Sequence, residues 1–121
     1  MEEDEEVRPN TPIAELIAEH RRIEVELDAL GQALATGKID FLAFQRCRVL
    51  LRDHYPREQE VLAAIHPAAA RKIAGQQAEA LELAENVEVG AADALSLARR
   101  FVAIAQHTII EEERDVFPLA G

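Results

Sequence analysis

Apolar residues recur along this chain at intervals of three and four, the spacing of one face of an α-helix, in four successive segments. The first stripe runs through Ile13, Leu16, Ile17, Ile23, Leu27, Leu30 and Leu34. Thr11-Pro12 makes a good start for it. Threonine can cap, and proline at the first helical position forfeits only an N–H that has no partner there. Gly37 ends it. Asp40 is a cap for a second helix with Phe44, Cys47, Leu51, Val61, Leu62 and Ile65 on its stripe, closing at His66-Pro67. Pro56 lies inside and removes one backbone hydrogen bond, which predicts a local bend. The apolar phase is the same on both sides of it, so the helix is expected to continue.

A third helix is predicted from about Ala68 to Val87, with Ile73, Ala80, Leu81, Ala84 and Val87 inward and Gly75 as a weak point in its interior. The turn Glu88-Val89-Gly90 leads to a fourth from about Ala91, with Leu95, Leu97, Phe101 and Ile104 on its stripe, running toward Phe117-Pro118. Four helices of similar length with short connections predict an all-α, antiparallel up-down-up-down four-helix bundle. The chain also divides into two helical hairpins of similar length, a suggestive internal repeat.

Composition agrees with this reading. At 121 residues there is room for one domain, assigned to residues 11–121. Residues 1–10, MEEDEEVRPN, read as a disordered acidic tail, too charged to bury anything. Aromatics make up only 4% of the chain, so Ala and Leu, both good helix formers, carry the apolar load. The net charge of −10 argues against nucleic acid or an anionic membrane surface as a partner, since phosphate binding needs clustered cations. No window approaches the roughly 20 apolar residues of a membrane span. The acidic start is the opposite of a signal peptide's, and the single cysteine, Cys47, leaves no intrachain disulfide framework. A cytoplasmic location is expected.

The chemistry lies in what interrupts the stripes. His20 stands where an apolar residue is due between Leu16 and Ile23. His54 and Glu58 both lie in line with Leu51 and Leu62, and His107 and Glu111 repeat the HxxxE spacing beyond Ile104. Residues four apart on a helix point the same way. Burying an unpartnered carboxylate is costly, and two in one small core repel each other. A bound cation reverses that logic, and inward His and Glu from facing helices are how bundle cores build metal sites. A lone core histidine is more often a satisfied structural residue. Agreement among three helices is what favours a metal. Glu24, beside the first stripe, reads as surface; His66 as a helix-terminal residue; Cys47 as a small buried hydrophobe.

These pieces, AEHRRIE around His20, LRDHYPREQEVL around His54 and Glu58, and QHTIIEEERDVFPLA around His107, resemble the hemerythrin-like, or HHE cation-binding, domain family. The resemblance covers nearly the whole chain after the tail. It implies a four-helix bundle around a carboxylate-bridged di-iron centre that binds dioxygen or reports on oxygen, iron or redox state. By position it makes His20 and His54 terminal ligands, Glu58 a bridge and His107 a ligand of a second iron. The second bridge is then Glu111, which the helix phase favours, or Glu112, if the register is counted back from Phe117-Pro118. The chain departs from the family on the third helix, which has no histidine and offers Gln77, or Gln76, in its place. An amide oxygen is a weak ligand for iron. One metal would keep His20, His54 and Glu58, a two-histidine, one-carboxylate set suited to Fe(II), and the other would bind loosely or not at all.

Three functions compete on this reading. One is a non-haem iron-binding module, mono- or di-iron, that takes up dioxygen or another small ligand in storage or sensing. A second is a non-haem iron enzyme acting on peroxide or nitric oxide, against which no general base stands outside the ligand candidates. The third is a metal-free interaction bundle that has kept the fold and lost the chemistry.

Overall fold

The computed structural model describes residues 11–120, which form helices joined by turns and short irregular connections, with no strand among them. The expected acidic tail, residues 1–10, lies outside the described residues. Four long helices, α1 (Thr11–Ala35), α2 (Phe41–Ile65), α3 (Pro67–Glu85) and α4 (Ala94–Glu111), are followed by a π-helical segment, Glu112–Val116, and a 3-10 turn, Phe117–Ala120. Each long helix packs on two others, α1 on α2 and α4, and α3 on α2 and α4. Among the described residues, no helix is long and apolar enough to cross a membrane.

Local chemistry sets the helix ends. At the end of α1, Gly37 adopts a φ of 83°, a conformation that L side chains rarely take. Its N–H reaches Leu34 O at 3.0 Å while Lys38 N reaches Ala33 O at 3.1 Å, so carbonyls that the helix leaves open are satisfied. Asp40 then caps α2, its Oδ1 accepting from Ala43 N at 3.1 Å. α2 runs through Pro56 without a break. His66 is the single residue between α2 and α3. The following proline pushes it into an extended conformation, φ −158° and ψ 97°. Its N–H ends α2 on Leu62 O, and its Nδ1 starts α3 by accepting from Ala69 N at 3.1 Å. His66 therefore serves both helix ends, one more than its sequence position implied. α3 passes through Gly75 and stops at Glu85, two residues short of Val87. α4 begins at Ala94, three residues after Ala91.

The interior is layered. A larger apolar cluster is built on Ile23, Leu27, Leu30 and Leu34 of α1, Phe44 and Leu51 of α2, Ala80 and Ala84 of α3, and Phe101 and Ala105 of α4. Phe44 and Phe101 meet edge to face at 5.4 Å, and truncating a ring buried as fully as Phe101 typically costs about 3–5 kcal/mol. A smaller cluster joins Ile13, Leu16, Leu62, Ala70, Ile73, Val116 and Phe117. Between the two clusters every long helix turns polar while staying buried. α1 supplies His20, α2 His54 and Glu58, α3 Gln77, and α4 Thr108, with Glu112 following at the start of the π segment.

Candidate metal centre

The polar layer holds a cluster that can bind a metal ion. His20, His54 and Glu58 are all buried, and one ligand atom from each lies within 4.8 Å of the others. Glu58 Oε2 is the shared point, 2.6 Å from His20 Nε2 and 2.9 Å from His54 Nε2. Its other oxygen, Oε1, accepts from Gln77 Nε2 at 2.8 Å, and Gln77 Oε1 in turn accepts from Gln59 Nε2 at 3.1 Å. The two imidazoles are tilted against each other at 5.0 Å. Phe117, from the closing Phe-Pro run, stacks on His20 at 5.8 Å and seals it from the end of the bundle.

Both histidines also have a carboxylate at the far ring nitrogen. His54 Nδ1 lies 2.6 Å from Glu19 Oε1, which also accepts from Arg57. His20 Nδ1 lies 2.7 Å from Glu113 Oε2, which also accepts from Arg21. With protons on Nε2 the rings donate to Glu58. With a cation in place of those protons, two imidazole lone pairs and a carboxylate oxygen face it together.

A fourth buried group, Glu112, lies beside this cluster. Glu112 is fully buried beside Glu58, its Oε1 is 3.4 Å from His20 Nε2, and neither of its oxygens has a hydrogen-bond partner among the described residues. Two carboxylates at such close quarters cannot both ionise in a low-dielectric interior. Burial and the Glu58 carboxylate push Glu112 far above its ordinary value of 4.5. Glu58 also suffers from burial, yet hydrogen bonds from His20 and His54 outweigh it and hold its carboxyl low. His54 is desolvated, which lowers it, but Glu58 and Glu19 together raise it above the usual imidazole range. A divalent cation would neutralise both carboxylates and use the oxygens that have no donor. The donor set therefore fits a metal.

Three expectations about α4 are corrected. His107 does not face inward: its side chain is 66% exposed and leans on Glu111 at 3.4 Å. Glu111 does not enter the polar layer either. It sits at the margin, bound by Lys72 Nζ at 2.7 Å and by Gln76 Nε2 at 3.1 Å. Glu112 takes the inward position that the helix phase had favoured for Glu111. The inward face of α4 runs Ala94, Ala98, Phe101, Ala105, Thr108 and then Glu112. Leu95, Leu97 and Ile104 flank this seam, only partly buried. A stripe traced through Leu95, Leu97 and Ile104 is therefore rotated from the true one, and His107 lies off it.

Sequence reasoning also missed Glu19, Glu113, Tyr55 and Thr108. Glu19 and Glu113 read as two more surface glutamates in an acidic chain, and no spacing marks them. Tyr55 is buried beside His54, its hydroxyl without a hydrogen-bond partner among the described residues, and burial holds its phenol protonated. Thr108 Oγ1 returns to Ile104 O at 2.8 Å, within its own helix. Cys47 is the buried hydrophobe expected, its thiol pushed up to about 12 by burial and hence unreactive.

No family model, no curated protein and no solved structure matches the chain.

Proposed function

We propose that this protein is a metal-binding four-helix bundle of the hemerythrin-like kind, holding a single non-haem iron ion between His20, His54, Glu58 and Glu112. The observation that carries the proposal is Glu112: a carboxyl group sealed in the interior, its two oxygens without a hydrogen-bond partner among the described residues, beside the Glu58 carboxylate and the Nε2 of His20. The antiparallel order is supported by His20 and His54, which lie a similar number of turns from the loop joining their helices. Two imidazoles with carboxylate oxygens suit Fe(II), although Zn(II) and Mn(II) accept the same donors. Such an ion supplies vacant positions for dioxygen or another small molecule, which fits a storage or sensing role.

The residues around it do the rest. Glu58 offers Oε2 inward while Gln77 occupies Oε1, so this carboxylate addresses one ion and is poorly placed to bridge two. α3 and α4 contribute an amide and a hydroxyl at this level, which favours one ion over a pair. Phe117 and the apolar clusters on both sides exclude water and strengthen each electrostatic contact.

A metal-free bundle is the second reading, favoured by a specific observation: Glu58 already has two imidazoles and an amide as partners. Metal content decides between the two. The protein is prepared anaerobically, analysed for bound metals, and titrated with Fe(II), Mn(II) and Zn(II). One ion per chain is expected, with a rise in unfolding free energy of about 2.7 kcal/mol at a hundredfold excess of free ion over its dissociation constant. If no metal is retained and none of the three ions moves the unfolding midpoint, the metal reading fails and the metal-free bundle stands.

A further inference from the structure

The two imidazoles are held in the same way, by groups that belong to other parts of the chain. His54 of α2 has Glu19 of α1 at Nδ1, and Glu19 is fixed on its outer side by Arg57 of α2. His20 of α1 has Glu113 of the π segment at Nδ1, and Glu113 is fixed by Arg21 of α1. Each arrangement runs inward from an exposed guanidinium through a half-buried carboxylate to a buried ring. The carboxylates occupy telling positions in the chain. Glu19 immediately precedes one histidine and holds the other; Glu113 immediately follows Glu112 and holds the ring that Glu112 approaches. Within the π segment, two consecutive glutamates thus lie at the two nitrogens of one imidazole, Oε1 of Glu112 at 3.4 Å from Nε2 and Oε2 of Glu113 at 2.7 Å from Nδ1.

We infer that Glu19 and Glu113 are positioning residues, each fixing the Nδ1–H tautomer and the ring orientation of its histidine so that both Nε2 lone pairs face the same point in the polar layer. The inference rests on the metal-binding reading above and assigns the residues that prepare that site. A neutral imidazole carries one ring proton, and the stronger acceptor decides which nitrogen keeps it. Both ring nitrogens face carboxylates, Glu58 at Nε2 and Glu19 or Glu113 at Nδ1; once a cation takes the Nε2 side, the ionised carboxylate anchored by arginine keeps the remaining ring proton at Nδ1. Such outer partners also raise the basicity of the ligand nitrogen, and removing one typically weakens metal binding about 10–100-fold. The same contacts tie α1 to α2 and α1 to the C-terminal segment, so a metal seated on the two rings draws on three parts of the chain at once.

The test uses Zn(II), which is redox-silent, on the full chain. Affinity is measured by competition with a chelator for the parent, Glu19→Ala, Glu113→Ala, Glu19→Gln and Glu26→Gln. Glu26 pairs with Arg46 away from the polar layer and controls for the loss of one negative charge. The alanine variants are expected to bind about 10–100-fold more weakly. Glu19→Gln should lose less, because an amide oxygen still accepts from Nδ1–H, and Glu26→Gln should match the parent. Proton–nitrogen NMR of the zinc-loaded protein adds a readout that a merely structural role would not move. The parent should show two slowly exchanging ring N–H signals assigned to Nδ1, with the His54 signal lost in Glu19→Ala and the His20 signal lost in Glu113→Ala. Parent-like affinity and unchanged ring signals in both alanine variants would overturn the inference, as would an equal loss in Glu26→Gln. Failure of the parent itself to bind zinc, iron or manganese is a different result and overturns the metal reading.

Discussion

The two sides of the polar layer sit at the same depth between the same apolar clusters and behave differently. On the α3–α4 side the polar groups close on one another: the Thr108 hydroxyl faces Ile104 O of its own helix and Gln76 Oε1 of α3, and Gln76 donates outward to Glu111. Gln77 is the one group there that reaches across, and it does so as a donor to Glu58. On the α1–α2 side, His20, His54 and Glu58 converge on a single point, with Glu112 approaching from beyond the end of α4. A neutral network whose needs are met locally is a spacer. Converging imidazoles and a carboxylate, beside a carboxyl group that lacks donors, could hold a metal ion. The contrast teaches that burial of polar residues does not by itself mark a site. What marks it is polar atoms that point at one place, beside a buried carboxyl group without a hydrogen-bond partner among the described residues.

Glu58→Ala should break this comparison most severely. It removes the shared acceptor of both rings, abolishes metal binding in a chelator competition, and costs about 3–5 kcal/mol in urea unfolding of the metal-free protein, the usual result of leaving buried charge without its partner. Gln77→His sharpens it from the other side. An imidazole there supplies the donor that α3 lacks and releases Glu58 Oε1, so bound metal should rise above one ion per chain; a stoichiometry fixed at one would show that the missing histidine is not what limits the site.

Glu112→Gln should separate metal binding from stability. Its raised carboxyl keeps a proton in the folded state that the unfolded chain releases. That contribution is fully present below the unfolded value near 4.5 and is lost as pH rises above it. Glu58 works in the opposite sense, stabilising above its unfolded value and losing that contribution as pH falls below it. Glutamine at 112 should therefore stabilise the metal-free protein by about 1–3 kcal/mol near neutral pH, flatten its alkaline loss of stability, and weaken metal binding. Denaturant curves across a pH series check the first two effects. His107→Ala is the smallest change: affinity as in the parent, and stability within about 0.5 kcal/mol, as for other exposed positions. A large loss of metal in that variant would return α4 to the site and undo the contrast between the two sides.

Much of this is legible in the chain alone. The helices of the first hairpin follow from strong stripes and unambiguous ends, because Gly37, Asp40 and Pro67 each act through backbone chemistry local to a few residues. His20, His54 and Glu58 were legible for a related reason: they interrupt stripes of large apolar residues, so their phase is fixed by their neighbours. α4 offered no such guide. Apart from Phe101, its inward seam is made of the small residues Ala94, Ala98, Ala105 and Thr108, while Ile110 is 54% exposed. Phe101, Val102 and Ile109 are buried but Leu95, Leu97 and Ile104 only partly, so hydrophobic bulk alone did not fix the phase of this helix.

The sequence by itself determined four helices, where most of them begin and end, and that α1 and α2 carry imidazoles and a carboxylate on their buried faces. Those properties depend on local backbone preferences and on a periodic pattern, both of which are written within a few turns of chain. Only the tertiary structure decided that small side chains of α4 pack inward, that the π segment delivers Glu112 rather than Glu111, and that Glu19 and Glu113 hold the rings of other elements. These depend on which faces meet and on contacts between residues as far as 93 positions apart, and no local pattern encodes them.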